Sequence, residues 1–371
     1  MSGPLEGIRV IELARILAGP WAGQTLADMG AEVIKVEAPQ GDDTRRWGPP
    51  FVTRPDGTRD AAYFHATNRN KTSVTADFST AEGQHKLRAL IETADILIEN
   101  FKVGGLAKYG LDYAHVSRLN PRLIYCSITG FGQTGPYAHR AGYDYIIQGM
   151  SGLMSVTGPA NGAPHKVGVA VTDIVTGIYA SSAILAALHE RARTGLGQHI
   201  DMALMDCAVA LMANQAMNYL ATGAAPSRLG NFHPNLAPYQ TVPCRDGHII
   251  IATGNDAQYR RLCAVLGLDA LADHAHYANN ADRVARQTEL SEQICAQTRN
   301  WTSADLLRAC EAQGVPAGPI NDMQAVFADP QVQSRELALD MDGIKGVRGP
   351  CRFSRYPVPP SRPAPALGQD D

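Results

Sequence analysis

The first forty residues follow a strand–helix–strand pattern, and this pattern limits the fold more than any other part of the chain. Ile8–Leu13 (IRVIEL) and Glu32–Glu37 (EVIKVE) are short runs rich in β-branched residues, and Ala18–Met29 between them is built of helix formers and small residues. Gly30 follows directly, where a helix end favours glycine. Because a helical crossover joins parallel strands, the segment predicts an α/β fold with a parallel sheet.

The same alternation continues through the first half of the chain. Thr72–Asp77, Ile96–Glu99 and Leu123–Thr129 have strand character. Ala81–Thr93 has a helical apolar face, and Ile174–Arg191 is a long helix pattern rich in Ala and Ser. These elements extend the predicted parallel sheet and its covering helices.

The pattern changes beyond about residue 220. A segment rich in Gly, Ala, Pro and Asn runs from Gly223 to Pro238, and a strand is predicted at Gly247–Ala252 after a turn. Helices are predicted at Asp282–Thr298 and Ser303–Gln313. We therefore expect a smaller domain over 225–315.

Composition excludes several classes of protein. The 371 residues include 33 Lys and Arg against 36 Asp and Glu, so no excess of positive charge favours nucleic acid. The seven cysteines form no CxxC pair, which argues against a zinc cluster and a disulfide framework. The sequence has neither a visible signal peptide nor a run of 18 apolar residues, so we expect a cytoplasmic protein with no membrane contact.

Gly130–Gly135 (GFGQTG) matches the GxGxxG pattern of dinucleotide-binding proteins and follows a predicted strand. However, Pro136 comes next, and position 155, where an acidic residue would bind the ribose, is Ser155. The segment is therefore better interpreted as a glycine-rich turn, and an NAD-dependent oxidoreductase is the weaker alternative.

Asp173 ends an apolar run immediately before the long helix pattern. On the residues alone, a plain helix N-cap is the favoured interpretation. The functional alternative is a carboxylate nucleophile at a strand-to-helix junction.

Polar and cationic residues near predicted strand ends form a second set of candidates. Turn-forming Asn and solvated Lys are the ordinary interpretation, and binding of phosphate or amide groups is the functional one. The residues in this set are Asn68, Asn70, Lys71, Asn100, Phe101, Lys108 and Arg140.

A series of short motifs runs through nearly the whole chain: Pro4–Val10, Ala18–Pro20, Gly30–Glu37, Asn68–Lys71, Glu99–Phe101, Ser127–Gly132, Arg140–Asp144, Gly168–Asp173, Thr194–Gln198, Asp246–Ile249 and Gly314–Ile320. In their order and spacing they resemble the class III CoA-transferases of the CaiB/BaiF type. The resemblance implies a Rossmann-like large domain, 1–205 and 320–371, with the smaller domain inserted. It also implies an interlocked homodimer.

The resemblance implies a specific chemistry at Asp173. In this family an aspartate attacks an acyl-CoA thioester, giving an acyl-aspartyl anhydride and then an aspartyl-CoA thioester, without a metal. The CoA contacts implied for this chain are Arg15, Ile16, Leu17, Asn68, Asn70, Lys71, Asn100, Phe101, Lys108 and Arg140. The motifs are most similar to those of relatives that use succinyl-CoA and small dicarboxylates.

Two further functions stay open at this point. A racemase branch of the same fold uses a His where this chain has Tyr143, and a phenol with a pKa near 10 is a poor base at neutral pH. A CoA-binding protein without turnover is the other alternative.

Overall fold

The computed structural model describes residues 3–356 and 361–371. The chain forms two compact units, a large one and a small one. The large unit comprises Met1–Leu153, Lys166–Ala213 and Pro330–Asp371, and the small unit comprises Met154–His165 and Asn214–Asp329. The predicted small domain, 225–315, lies within the second stretch of the small unit.

The secondary-structure elements are numbered in chain order. The strands are β1 (Arg9–Glu12), β2 (Glu32–Glu37), β3 (Phe51–Thr53), β4 (Arg59–Ala61), β5 (Thr72–Thr75), β6 (Ile96–Glu99), β7 (Ile124–Thr129), β8 (His199–Ala203), β9 (Tyr239–Cys244), β10 (Gly247–Ala252), β11 (Ala317–Pro319), β12 (Ala338–Met341) and β13 (Ile344–Val347). The helices are α1 (Ala18–Asp28), α2 (Ala62–His65), α3 (Ala81–Glu92), α4 (Tyr113–Leu119), α5 (Asp144–Met150), α6 (Leu153–Val156), α7 (Val171–Thr194), α8 (Leu204–Leu211), α9 (Ala213–Thr222), α10 (Asp256–Leu266), α11 (Asp269–Ala272), α12 (Asn280–Ala285), α13 (Gln287–Thr298), α14 (Ser303–Ala312), α15 (Met323–Ala328) and α16 (Pro330–Ser334).

A six-stranded sheet forms the centre of the large unit. Its strand order is β5-β2-β1-β6-β7-β8, and every neighbouring pair is parallel. The predicted α/β fold with a parallel sheet is confirmed. Strands β2 and β5 extend the sheet on one side of β1, and β6, β7 and β8 extend it on the other side. The strand order therefore reverses between β1 and β6. In such sheets the carboxyl ends of the strands at the reversal leave a crevice for a ligand.

Apolar residues cover both faces of this sheet. Successive side chains of a strand point to opposite faces, so Val10 joins one core and Ile11 the other. The first core packs against α1 and α7, with Leu26 and Ile184 fully buried. The second packs against α3, where Leu87 is fully buried. Burial on both faces explains why the strands are nearly continuous apolar runs.

Helix α7 packs closely along α1. A Cβ atom at Gly177 would lie 2.7 Å from the carbonyl oxygen of Ala18, so a side chain there would force the two helices apart. Among the described helices, α7 is also the one long and apolar enough to cross a membrane, and one face of it, which includes Ala180 and Ile184, is buried in the first core. The close approach sets where the first turn of α7 lies relative to the start of α1.

The small unit contains a three-stranded antiparallel sheet in the order β11-β10-β9. Its core includes Ile249 and Ile251 of β10, packed with Leu262 and Leu306 from two helices. The prediction of one helix over Asp282–Thr298 is wrong, because α12 ends before Arg286 and α13 begins after it.

Candidate active site

A cavity of about 510 Å³ lies in the large unit, beside the carboxyl ends of β1 and β6. Two hydrogen bonds join Arg15 and Asn100, which follow those strands and line the cavity. The backbone N–H of Arg15 donates to Asn100 Oδ1 at 2.9 Å, and Asn100 Nδ2 donates to the Arg15 carbonyl at 2.7 Å. The sequence-predicted residues that line the cavity are Arg15, Ile16, Leu17, Asn100, Phe101, Lys108, Arg140 and Asp173.

Asp173 lies in the first turn of α7. The helix begins at Val171 after the N-cap residue Ala170, so the interpretation of Asp173 as the N-cap is wrong. The side chain of Asp144 supplies the missing cap: its Oδ1 accepts hydrogen bonds from Thr172 N at 2.9 Å and Thr172 Oγ1 at 2.6 Å. Asp173 is thus left free of the capping role and faces the cavity.

The Asp144 carboxylate is itself held in place. Gln148 Nε2 donates to Asp144 Oδ2 at 2.7 Å, and Gln148 Oε1 accepts from Val167 N at 2.9 Å. The start of α5 and the loop before α7 are therefore joined through one buried glutamine. This network sets the position of the Asp173 backbone.

The environment of Asp173 disfavours its charge. Burial, and then the neighbouring Asp144 carboxylate, raise the pKa of Asp173 to about 7. Burial and the Asp173, Asp144 and Asp42 carboxylates raise the pKa of Tyr63 to about 12. Sequence reasoning missed Tyr63 because nothing in its local pattern relates it to residues a hundred positions away.

Cationic side chains line the cavity: Arg15, Lys102, Lys108 and Arg140. The Arg140 guanidinium lies over the ring of Tyr137 at 4.5 Å from its centre, and that of Arg15 lies over Phe101 at 5.7 Å. Lys102 was absent from the predicted set, although it directly follows Phe101. Guanidinium and ammonium groups suit the phosphates of a nucleotide-like ligand.

The backbone at Ile16 is strained beside this cavity. Its φ is +73°, which is rare for a β-branched residue. The Ile16 N–H donates to the buried Asp42 carboxylate, which pairs with Lys35 Nζ at 3.0 Å. Lys35 is buried as well, so a buried ion pair holds the turn between β1 and α1.

Asn68, Asn70 and Lys71 are buried away from the residues that line the cavity. Lys71 Nζ donates to Asn68 Oδ1 at 2.9 Å and pairs with Glu12 at 2.8 Å. Asn70 accepts a hydrogen bond from the backbone of Arg362 at 2.7 Å, which attaches the C-terminal segment. Their direct contact with CoA stays a prediction, and what the structure shows is a structural role for each.

The Gly130–Gly135 segment follows β7 as a loop rather than as the start of a helix. The next helix, α5, begins at Asp144, so no helix N-terminus stands at the glycines as dinucleotide binding requires. A Cβ atom at Gly130 would lie 2.6 Å from the Cα of Gly142. Gly130 and Gly142 therefore allow the backbone after β7 to lie against the backbone that directly precedes Tyr143 and Asp144.

Across 3–356 and 361–371, no group of three or more His, Cys, Asp or Glu residues could hold a metal ion. All seven cysteines are free thiols.

The model of CoA-transferase family III matches residues 5–371, which is nearly the entire chain. The chain belongs to CoA-transferase family III. The resemblance found in the sequence motifs is thereby confirmed. As a member of this family the protein is a CoA-transferase, with acyl-CoA as substrate.

Individual relatives agree with this assignment. The chain is 60% identical to the succinate–glutarate CoA-transferase of Agrobacterium fabrum, over 99% of this chain and 93% of that protein. It is 42% identical to the human succinyl-CoA:glutarate CoA-transferase, over 99% of this chain and 84% of the relative. A crystal structure of a CaiB/BaiF family protein from Brucella suis is 56% identical, with a TM-score of 0.90 over 100% of this chain and 97% of that one.

Proposed function

We propose that this CoA-transferase moves CoA from succinyl-CoA to a small dicarboxylate, with glutarate as the first candidate and Asp173 as the covalent nucleophile. The observation that carries the proposal is a partly buried carboxylate facing a cavity lined by cations. The substrates are those in the names of the relatives from Agrobacterium fabrum and human.

The reaction begins with a nucleophilic attack by the Asp173 carboxylate on the thioester carbonyl of succinyl-CoA. The C–S bond breaks, which gives an aspartyl–succinyl anhydride and the CoA thiolate. The thiolate then attacks the aspartyl carbonyl and releases succinate, leaving an aspartyl-CoA thioester. Glutarate attacks this thioester to form a second anhydride, and the released thiolate takes the glutaryl group and restores Asp173.

Other residues of the cavity have supporting roles in this proposal. Arg15, Lys108 and Arg140 bind the phosphates of CoA as charge partners. Phe101 and Asn100 shape the wall against which the CoA chain lies. Anhydrides hydrolyse, so the bound substrate must also exclude water from Asp173.

We further propose that the protein is an interlocked homodimer. The large unit exposes apolar side chains on α5 and α7: Tyr145, Ile146, Ile178 and Tyr179 are each 46–59% exposed. Helices α5 and α7 are in contact, and large exposed apolar side chains on neighbouring helices are typical of an interface. Light scattering should give twice the chain mass of 39.7 kDa. Tagged and untagged dimers should not exchange subunits until they are denatured; a monomer, or exchange within minutes, would contradict the proposal.

We also propose a cytoplasmic location, which the seven free thiols support. Cell fractionation with a tagged chain tests this, and recovery in an oxidising compartment would contradict it.

The test of the reaction is direct. The protein is incubated with succinyl-CoA and a panel of carboxylic acids, and new CoA esters are identified by mass spectrometry. Hydroxylamine added during turnover should convert the aspartyl thioester into a hydroxamate, which peptide mapping locates at Asp173. Glutaryl-CoA should form with the wild-type protein and not with Asp173→Asn.

A matched control separates loss of the nucleophile from loss of a negative charge. Glu6 is exposed and its side chain makes no hydrogen bond among the described residues, so Glu6→Gln should keep full activity. If Asp173→Asn still forms glutaryl-CoA, Asp173 is not the nucleophile. If no acid is esterified while a chiral 2-methylacyl-CoA epimerises, the chain is a racemase.

A further inference from the structure

A second, smaller chamber of about 270 Å³ lies beside the first cavity in the large unit. Glu99, at the end of β6, and Ser127, directly opposite it on β7, are 5% and 2% exposed. His199, at the start of β8, also lines the chamber. None of these three side chains has a part in the reaction proposed above.

The three side chains form a connected polar chain. Ser127 Oγ lies 2.9 Å from His199 Nε2, and the Ser127 hydroxyl, which lies opposite Glu99 in the sheet, partly offsets the effect of burial, which raises the pKa of the Glu99 carboxyl. The His199 ring stacks on Tyr113, with the centres 5.1 Å apart, and meets the edge of Tyr125. The ring therefore has little freedom to turn, and the Ser127 hydroxyl is held between two fixed partners.

Glu99 connects this chain to the wall of the CoA cavity. Its Oε2 accepts a hydrogen bond from the Phe101 N–H at 2.8 Å. Phe101, Lys102, Val103 and Gly105 each line both the chamber and the cavity. The segment 101–105 thus lines the first cavity on one side, and its first residue is held by the hydrogen bond from the Phe101 N–H to Glu99.

Burial of the Glu99 carboxyl carries an energetic penalty, which indicates that its position has a specific role. Burial raises the pKa of Glu99 to about 7, and the hydrogen bonds from Ser127 and Phe101 only partly offset this. A hydrophobic residue at the same position would avoid the penalty. A buried carboxyl in its place supplies a fixed acceptor for one backbone N–H at the root of the segment.

We propose that Glu99, held by Ser127 and His199, is a positioning residue for acyl-CoA binding that acts through the backbone of Phe101. This inference rests on the proposed function, since it assumes that CoA occupies the adjoining cavity. It assigns Glu99 no contact with the reacting atoms. Its removal should therefore weaken CoA binding and leave the chemistry at Asp173 intact.

The test compares two variants of Glu99. Glu99→Ala leaves the Phe101 N–H without an acceptor, so KM for succinyl-CoA and Kd for CoA should each rise on the order of tenfold. The KM for the acceptor acid, and kcat at saturating succinyl-CoA, should change less than twofold. Glu99→Gln keeps an acceptor oxygen for the Phe101 N–H, and its amide donates to Ser127 Oγ when the Ser127 hydroxyl donates to His199 Nε2, so it should restore both constants to within about twofold.

Further variants keep the test decisive. Ser127→Ala removes only the side chain between Glu99 and His199 and should raise KM for succinyl-CoA by about threefold. This variant keeps the proposal testable even if Glu99→Ala does not fold. Glu92→Gln, an exposed carboxylate on α3, is the control and should match the wild type. The proposal would be overturned if KM for succinyl-CoA were unchanged in Ser127→Ala while Glu99→Gln did not restore the wild-type constants. It would also be overturned if Glu99→Ala lowered kcat without raising KM.

Calorimetric titration with CoA separates this proposal from the proposed function. If the wild-type protein does not bind CoA, the proposed function fails. If the wild type binds CoA and both Ser127→Ala and Glu99→Ala bind it equally well, only the role of Glu99 fails.

Discussion

Replacing Asp173 by Asn should stabilise the protein, and the gain should depend on pH. Asp173 has its pKa raised from 3.8 to about 7 in the folded chain by burial and by Asp144. Between these two values the unfolded chain ionises this carboxyl while the native state keeps it protonated. The wild type therefore loses stability as pH rises through this window, whereas Asp173→Asn does not.

The size of the effect follows from the shift in pKa. Each unit corresponds to about 1.4 kcal/mol, so between pH 5 and pH 7.5 the free energy of unfolding of Asp173→Asn should gain roughly 3 kcal/mol over the wild type. The difference should level off above the folded pKa. This amount is large beside the usual effect of a surface substitution, which is about 0.5 kcal/mol.

Urea denaturation of both proteins at several pH values, without CoA, measures this difference. Glu6→Gln provides the reference for an exposed carboxylate, and its difference from the wild type should be much smaller across the range. If the curves for Asp173→Asn and the wild type stay parallel from pH 5 to 8, the carboxylate is well solvated. A destabilising charge on buried Asp173 would then be refuted.

Three more perturbations test the site. With the free enzyme, kcat/KM should rise with pH and level off above about 7, because ionised Asp173 is the proposed nucleophile and its pKa is raised to that value; a flat pH–rate profile would argue against this. Gly177→Ala should lower the free energy of unfolding by roughly 1–3 kcal/mol and reduce activity, because its Cβ would lie 2.7 Å from a carbonyl oxygen of α1. Gly318→Ala, where a Cβ meets nothing within 4 Å, is the control, and equal denaturation midpoints for the two variants would contradict the packing argument. Arg140→Ala and Lys108→Ala should each raise KM for succinyl-CoA by about threefold to tenfold, with a smaller effect in high salt; an effect that does not change with salt would exclude phosphate binding by these exposed side chains.

The central sheet was largely predictable from the sequence. The bounds of β2 and β6 agree with the prediction residue for residue, since their apolar runs are continuous and end at a turn. Strand β8, His199–Ala203, was not predicted: it is short, mixes polar and apolar residues and is only partly buried. Its conformation depends on pairing with β7, which lies seventy residues earlier.

The candidate site was predictable where residues directly follow strands. Arg15 and Asn100 come soon after β1 and β6, and the topology brings them together. Tyr63 and Asp144 were missed as partners of Asp173, because their roles arise from the packing of elements distant in sequence. No periodicity or local motif carries that information.

The position of Asp173 beside Asp144 has a consequence for the intermediates of the proposed reaction. Burial, and then the Asp144 carboxylate at the helix start, raise the pKa of Asp173 to about 7, whereas the pKa of the substrate acids is near 4.3, as for a glutamate side chain. In a mixed anhydride the less basic carboxylate is the better leaving group. If Asp173 is the nucleophile proposed above, the CoA thiolate therefore attacks the aspartyl carbonyl of either anhydride more readily than the substrate carbonyl, so the aspartyl-CoA thioester should be the intermediate that accumulates.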